Sequence, residues 1–98
     1  ETTLYRIVQE ALTNVRKYAD ASFVTIIVER RRDEVLAIIE DDGCGFDLES
    51  VQRASGAWRN LGLRGMAERA TLCNGRLDIE TALGTGTTIY VHIPLPME

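Results

Sequence analysis

Apolar residues recur three and four positions apart at the start of the chain, which predicts an amphipathic helix from about Thr3 to Tyr18. The residues of this stripe are Leu4, Ile7, Val8, Ala11, Leu12 and Val15. The following segment SFVTIIVE (22–29) is rich in β-branched residues and predicts a strand.

A second strand is predicted at VLAIIED (35–41). Because this segment is nearly all apolar, we expect it to be central in a sheet and covered. The short polar turn RRRDE (30–34) between the two strands predicts an antiparallel hairpin. Its Arg30-Arg31-Arg32 run is typical of a solvated turn.

The second half of the chain repeats this order of elements. Residues 42–61 contain glycines and little periodicity, which predicts a long loop. GLRGMAERATLC (62–73) predicts a helix that stops at Asn74-Gly75. RLDIET (76–81) and TIYVHIPL (88–95) predict two strands around the turn ALGTGT. The expected fold class is α+β, a two-layer sandwich with helices on one face of a mostly antiparallel sheet.

Composition narrows the classes of function. The 98 residues predict one domain, and the net charge of −4 argues against a nucleic-acid surface. No apolar run is long enough for a membrane span. Cys44 and Cys73 have no CxxC spacing and are interpreted as reduced thiols, as in a cytosolic protein. With His92 as the only histidine, a His/Cys metal site is not expected.

A carboxylate, Asp41, ends the most hydrophobic segment of the chain, and Gly43 and Gly45 follow it. Strand alternation places Asp41 on one face with Ala37 and Ile39, so we expect it to point inward, where a carboxylate needs hydrogen-bond donors. A ligand amino group would serve, and the glycines would let the backbone approach the ligand closely. The alternative is a plain Asp-Gly turn with a solvated Asp41.

Three polar residues, Glu10, Asn14 and Lys17, line one side of the first helix beside its apolar stripe. Glu is a candidate base, Asn offers a carbonyl oxygen to Mg²⁺, and Lys is a point charge for phosphate. The alternative is a solvated helix face supported by Glu–Lys pairing.

Glycines mark two further segments. Gly62 and Gly65 flank the start of the second predicted helix, whose unpaired N–H groups could hold phosphate with help from Arg59 and Arg64. LGTGTT (83–88) is a Gly-rich turn, a common feature of hairpins. The sequence contains no P-loop motif and no Rossmann fingerprint.

In this order, EALTN with a lysine three positions on, DDGCGF, GLRGM and GTGTT resemble the nucleotide-binding boxes of GHKL (Bergerat) ATPases. The phrases YRIVQEALTN and GLRGMAERA resemble the catalytic domain of bacterial two-component sensor histidine kinases. They are similar to the subclass that pairs with helix-turn-helix response regulators. The resemblance covers essentially the whole chain and implies an enzyme module, a protein-histidine kinase domain that binds ATP and Mg²⁺.

The resemblance also implies roles for individual residues. Asn14 would hold Mg²⁺, Glu10 would assist phosphoryl transfer as a catalytic residue, and Asp41 would accept a hydrogen bond from the adenine amino group. The remaining nucleotide-binding positions are implied to be Lys17, Gly43, Gly45, Gly62, Leu63, Gly65, Gly84, Gly86 and Thr87. Residues 46–61 would form the ATP lid, with Trp58 interpreted as an anchor for that loop.

Two positions depart from the family pattern. Asn60 stands where many histidine kinases have the first glycine of GxGL, so we assign position 60 no role. Asp42 stands where the wider family often has Asn, and we expect its charge to be solvated.

The resemblance implies partners as well. They are a dimerisation domain that carries the phosphoacceptor histidine, and a response regulator. His92 is interpreted as an ordinary strand residue, so we expect no autophosphorylation by residues 1–98. We interpret the chain as part of a longer, homodimeric protein, with this domain in the cytoplasm and inner-membrane anchoring left open. No direct contact with membrane or nucleic acid is expected.

Two other functions remain open at this point. One is another GHKL ATPase, such as an anti-sigma-type serine kinase. The other is a binding module that kept the fold and lost turnover. The presence of both Asn14 and Asp41 argues against the second.

Overall fold

The structure, a computed structural model, describes residues 2–16, 21–45 and 63–95. The elements in these ranges follow the predicted order of helix, two strands, helix, two strands. They are α1 (Thr2–Asn14), β1 (Val24–Arg30), β2 (Glu34–Asp41), α2 (Leu63–Leu72), β3 (Arg76–Thr81) and β4 (Thr87–Pro94). Predicted and observed ends agree within two residues, except at α1. Its α-helical part ends at Asn14 and residues 15–16 continue it as a π-helical turn, while residues 17–20 lie outside the described ranges, so the predicted end at Tyr18 stays a prediction.

The four strands form one sheet in the order β1-β2-β4-β3, with every neighbouring pair antiparallel. The predicted hairpin and the central position of β2 are therefore confirmed. Cross-strand partners share a face, so the register aligns Val24, Asp41, Thr87 and Thr81 as one row at the end of the sheet.

The core lies between the inner face of the sheet and the two helices. Its largest fully buried side chains are Ile7, Ile39, Met66 and Val91, one from each of four elements. Burial of each such side chain stabilises the fold by about 1.5–3 kcal/mol. Of the predicted stripe of α1, Ile7 and Ala11 are buried in this core, and Leu4 and Val8 pack against it. The two-layer α+β architecture is thereby confirmed.

The second helix ends as its sequence predicts. Asn74 has a left-handed φ of 62°, and its N–H donates to the carbonyl of Thr71 at 2.9 Å. The N–H of Gly75 donates to the carbonyl of Ala70 at 2.8 Å. These two bonds form a Schellman motif, which satisfies carbonyls left open at the helix end. No helix in the described ranges is long and apolar enough to cross a membrane.

Candidate functional site

Asp41 is a buried carboxylate at the last position of the central strand β2. It is 8% exposed, on the same inner face as Ala37 and Ile39, which belong to the core. Its neighbour Glu40 points to the other face and is exposed. The prediction that Asp41 points inward is confirmed, and the alternative of a solvated Asp41 is wrong. Strand alternation and the central place of β2 account for this burial.

The Asp41 carboxylate also shapes the turn that follows it. Its Oδ1 accepts a hydrogen bond from the N–H of Gly43 at 2.8 Å, which is an Asx turn. No residue of the described ranges donates to Oδ2. No buried side-chain oxygen of the described residues lacks a hydrogen-bond partner, so this atom is in contact with solvent, where a ligand N–H could reach it.

Two threonines continue the polar row beside Asp41. Thr87 lies directly opposite Asp41 on β4 and is 9% exposed, and Thr81 lies opposite Thr87 on β3. The two hydroxyl oxygens are 2.9 Å apart, and the Thr81 hydroxyl donates to the carbonyl of Gly86 at 3.1 Å. The inner face therefore changes from an apolar core to a polar end at this row.

Two glycine turns lie against one another at the same end of the sheet. The N–H of Gly84 donates to the carbonyl of Cys44 at 2.7 Å, which joins the 82–86 turn to the segment after Asp41. Gly45 and Gly86 have φ of 64° and 80°. A Cβ on Gly45 would collide with the carbonyl of Ala82, and a Cβ on Gly86 with that of Asp41. The structure thus brings together six predicted positions, which are Asp41, Gly43, Gly45, Gly84, Gly86 and Thr87.

Glu10 and Asn14 lie one helical turn apart on α1, and both are half-buried. Ala11 between them is buried in the cluster that includes Ile39, so α1 covers the face of the sheet that carries Asp41. Glu10 lines a polar groove of about 340 Å³ with residues of both helices, namely Arg6, Gln9, Thr13 and Arg69. Glu10 therefore lines a surface groove, and its place in a nucleotide-binding cleft stays a prediction.

The start of α2 carries Leu63 and Gly65. A Cβ on Gly65 would meet only the Arg69 guanidinium, at 3.8 Å, so packing does not require glycine there. The Arg64 guanidinium pairs with the Glu68 carboxylate at 3.1 Å along the exposed helix face. Lys17, Arg59, Gly62 and the predicted lid 46–61 with Trp58 and Asn60 lie outside the described residues.

Asp42 is exposed, as expected, and it has a structural function too. Its Oδ1 accepts hydrogen bonds from the N–H groups of Ser22 and Phe23 at 2.8 and 3.1 Å. These bonds tie the start of β1 to the end of β2. Asp42 therefore supports the strand end that carries Asp41.

His92 lies on the outer face of the sheet, away from Asp41. Its Nδ1 is 3.4 Å from the Glu34 carboxylate, and its Nε2 is 3.6 Å from the Asp78 carboxylate. On the same face, the Tyr90 hydroxyl donates to Glu80 at 2.9 Å. That hydrogen bond, with the nearby negative charges, raises the pKa of Tyr90 above its ordinary value of 10.0. These contacts are those of ordinary strand residues.

Thr81 was not predicted from the sequence as part of this polar row. The signal was present, because alternation in RLDIET places Thr81 on the face of Leu77 and Ile79, two residues that pack against the core. What the sequence did not provide was the β3–β4 register that sets Thr81 beside Thr87.

Metal-binding chemistry in the described ranges is sparse. No group of three His, Cys, Asp or Glu side chains there could hold a metal ion. Mg²⁺ commonly uses one or two protein oxygens and takes its other ligands from water and phosphate. The amide oxygen of Asn14 on the inner side of α1 fits that pattern.

The profile of the histidine kinase-, DNA gyrase B- and HSP90-like ATPases matches residues 1–97. The chain belongs to this ATPase family. Two curated relatives are named signal transduction histidine-protein kinase/phosphatase DegS. The protein from Bacillus subtilis (strain 168) is 36% identical over 97 residues, and that from Brevibacillus brevis is 41% identical over 98. The matches cover 99% and 100% of this chain but 25% and 24% of those proteins.

Solved structures confirm the fold of this ATPase domain. The ATP-binding domain of PrrB from Mycobacterium tuberculosis superposes with a TM-score of 0.79 at 26% identity, covering 98% of this chain and 69% of that one. The histidine kinase domain of a blue-light-activated kinase from Erythrobacter litoralis EL346 gives a TM-score of 0.76 at 26% identity. That match covers 95% of this chain and 43% of the kinase. The family and fold expected from the motifs are confirmed.

Proposed function

We propose that this domain is the catalytic module of a sensor histidine kinase, which binds ATP with Mg²⁺ and delivers the γ-phosphate to a histidine. A ring nitrogen of that histidine forms the new N–P bond, the γ-phosphorus–bridging-oxygen bond breaks, and ADP leaves. The ATPase family and the names of the two curated relatives support this function. The observation that carries the site assignment is the buried Asp41 carboxylate with an oxygen available to a ligand.

The adenine end of the proposed site is the end of the sheet. Asp41 Oδ2 accepts a hydrogen bond from the exocyclic amino group of adenine. Gly43 and Gly45 on one side, and Gly84, Gly86 and Thr87 on the other, shape the walls around it. The close approach of Gly86 to Asp41 supports this assignment, since any larger residue would displace the strand end.

The phosphate end lies along the two helices. Asn14 supplies its amide oxygen to Mg²⁺, which neutralises charge on the phosphates when bound. Glu10, beside the groove between α1 and α2, is the candidate base for phosphoryl transfer. Lys17, Gly62, Leu63 and Gly65 complete this end in the proposal.

The partners are proposed from the same family relationship. The phosphoacceptor histidine lies on a dimerisation domain of the same kinase, and a response regulator aspartate receives the phosphate next. We place the domain in the cytoplasm, inside a homodimeric protein.

Calorimetric titration of ATP, with and without Mg²⁺, tests the site. Asp41→Asn replaces an acceptor oxygen by an amide and is expected to weaken ATP binding by about 100-fold, since hydrogen bonds to charged groups are strong. Asn14→Ala is expected to remove the dependence of affinity on Mg²⁺. Glu40→Gln is the matched control, because Glu40 is the exposed neighbour of Asp41 on the other face.

Wild-type affinity in Asp41→Asn would refute the adenine assignment. A second assay separates this kinase from a serine kinase of the same family. The phosphoryl acceptor is a supplied dimerisation domain in one reaction and a serine-containing protein substrate in the other. Acid-labile phosphate on the dimerisation domain supports the proposal, and acid-stable phosphoserine contradicts it.

A further inference from the structure

We infer that Thr81 is a positioning residue that orients the Thr87 hydroxyl and thereby selects nucleobases with an amino group. The inference rests on the proposed ATP-binding function of the Asp41 end of the sheet. It concerns a residue on β3, the strand next to the one that carries Thr87. Thr81 itself acts through Thr87 rather than through contact with the base.

The Thr81 hydroxyl contacts both the carbonyl of Gly86 and the hydroxyl of Thr87. A threonine hydroxyl has one proton to donate. The carbonyl of Gly86 can only accept, so the 3.1 Å bond from Thr81 uses that proton. The 2.9 Å contact between the two hydroxyl oxygens is then a second hydrogen bond only if Thr87 donates to Thr81. Both bonds together fix the direction of the Thr87 proton toward β3.

On the side of Thr87 away from Thr81, the direct cross-strand partner is Asp41. With its proton committed to Thr81, the Thr87 hydroxyl offers lone pairs to its remaining surroundings. In agreement, the hydrogen bond that Asp41 accepts in the described ranges comes from Gly43 and not from Thr87. Asp41 and Thr87 therefore form an acceptor-only pair.

An acceptor-only pair discriminates between bases. The 6-amino group of adenine has two N–H donors and matches two acceptors. A 6-carbonyl base such as hypoxanthine would place its oxygen against the carboxylate, leaving buried acceptors without donors. If Thr87 were free to turn, its proton could bond Asp41 Oδ2 and compete with the amino group. Thr81 prevents this competition.

The test compares three nucleotides on the full-length protein by calorimetric titration in the presence of Mg²⁺. They are ATP, purine riboside triphosphate, which lacks the 6-amino group, and inosine triphosphate. Wild type should bind ATP at least about 10-fold more tightly than either analogue, since the amino group makes a charge-assisted hydrogen bond. Thr81→Val, which keeps the shape and removes the hydroxyl, should reduce this preference by about 10-fold.

Thr81→Ser is the matched control, because it keeps the hydroxyl and should keep the preference. A purely structural role for Thr81 would lower all three affinities equally and leave their ratios unchanged. If Thr81→Val does not fold, Thr81→Ala is the second variant. The same comparison in a Thr87→Val background should show no further effect of Thr81→Val, because the two hydroxyls act as one unit.

The outcomes separate the inference from the proposed function. A wild type that binds no ATP overturns both. A wild type that prefers ATP, with unchanged ratios in folded Thr81→Val, overturns the role of Thr81 and leaves ATP binding intact. A wild type that binds the three nucleotides equally overturns the acceptor-only pair.

Discussion

Gly86 lies directly against the main-chain carbonyl of Asp41, so a Cβ at this position would overlap that oxygen. Its φ of 80° adds a second reason for glycine, because residues with side chains rarely adopt left-handed angles. Gly84, two positions earlier, has nearly the same φ of 82° but open space around it. A comparison of the two glycines therefore separates the cost of the left-handed backbone angle from the cost of the close contact with Asp41.

This pair predicts a measurable difference in stability. Gly84→Ala should lower the free energy of unfolding by about 1 kcal/mol, the cost of a left-handed alanine. Gly86→Ala should lower it by about 3 kcal/mol, because the strand end at Asp41 must also move. Urea unfolding of the two variants checks this prediction. Equal losses would show that the contact with Asp41 contributes nothing.

Asp42 is expected to stabilise the fold through its acceptor oxygen, and its negative charge is not expected to be required. Asp42→Ala removes the acceptor of the Ser22 and Phe23 N–H groups and should cost about 1–2 kcal/mol of stability. Asp42→Asn keeps an acceptor oxygen and should cost less than about 0.5 kcal/mol. Thermal unfolding with an ATP titration of each variant provides the measurement. A loss of stability in Asp42→Asn as large as that in Asp42→Ala would mean that the negative charge itself is required.

Because of Tyr90, the stability of the fold is expected to depend on pH in the alkaline range. Its folded pKa is raised because the hydroxyl donates to Glu80, so the folded state holds this proton more tightly than the unfolded state does. The resulting stabilisation is fully present below the unfolded pKa, and it is lost as pH rises through the folded pKa.

Absorbance of the phenolate near 295 nm checks the prediction, with Tyr90→Phe identifying the signal among the tyrosines. Glu80→Gln should move the pKa of Tyr90 down toward its ordinary value. An unchanged titration in Glu80→Gln would contradict the assigned cause.

Much of the fold followed from periodicity along the chain. The spacing of Ile7 and Ala11 predicted α1, and the apolar run before Asp41 predicted the central place of β2. Asn74-Gly75 predicted the end of α2, although the residue with the left-handed φ is the asparagine. These features are local, so neighbouring residues suffice to determine them. The predicted end of the first helix at Tyr18 stays a prediction, because residues 17–20 lie outside the described ranges.

For the proposed site, the sequence determined which residues are candidates for binding the nucleotide. It marked Asp41 as inward-facing by strand alternation and showed where glycines permit unusual backbone angles. The ordered motifs then identified the ATPase family before any contact was known.

Only the tertiary structure decided how these residues meet. Asp41 and Thr87 are 46 positions apart in the chain, and the register of β2 against β4 sets them opposite one another. The register of β3 against β4 then sets Thr81 beside Thr87, with the two hydroxyl oxygens 2.9 Å apart. Strand register depends on the packing of a whole face and on long-range pairing, so no local pattern specifies it.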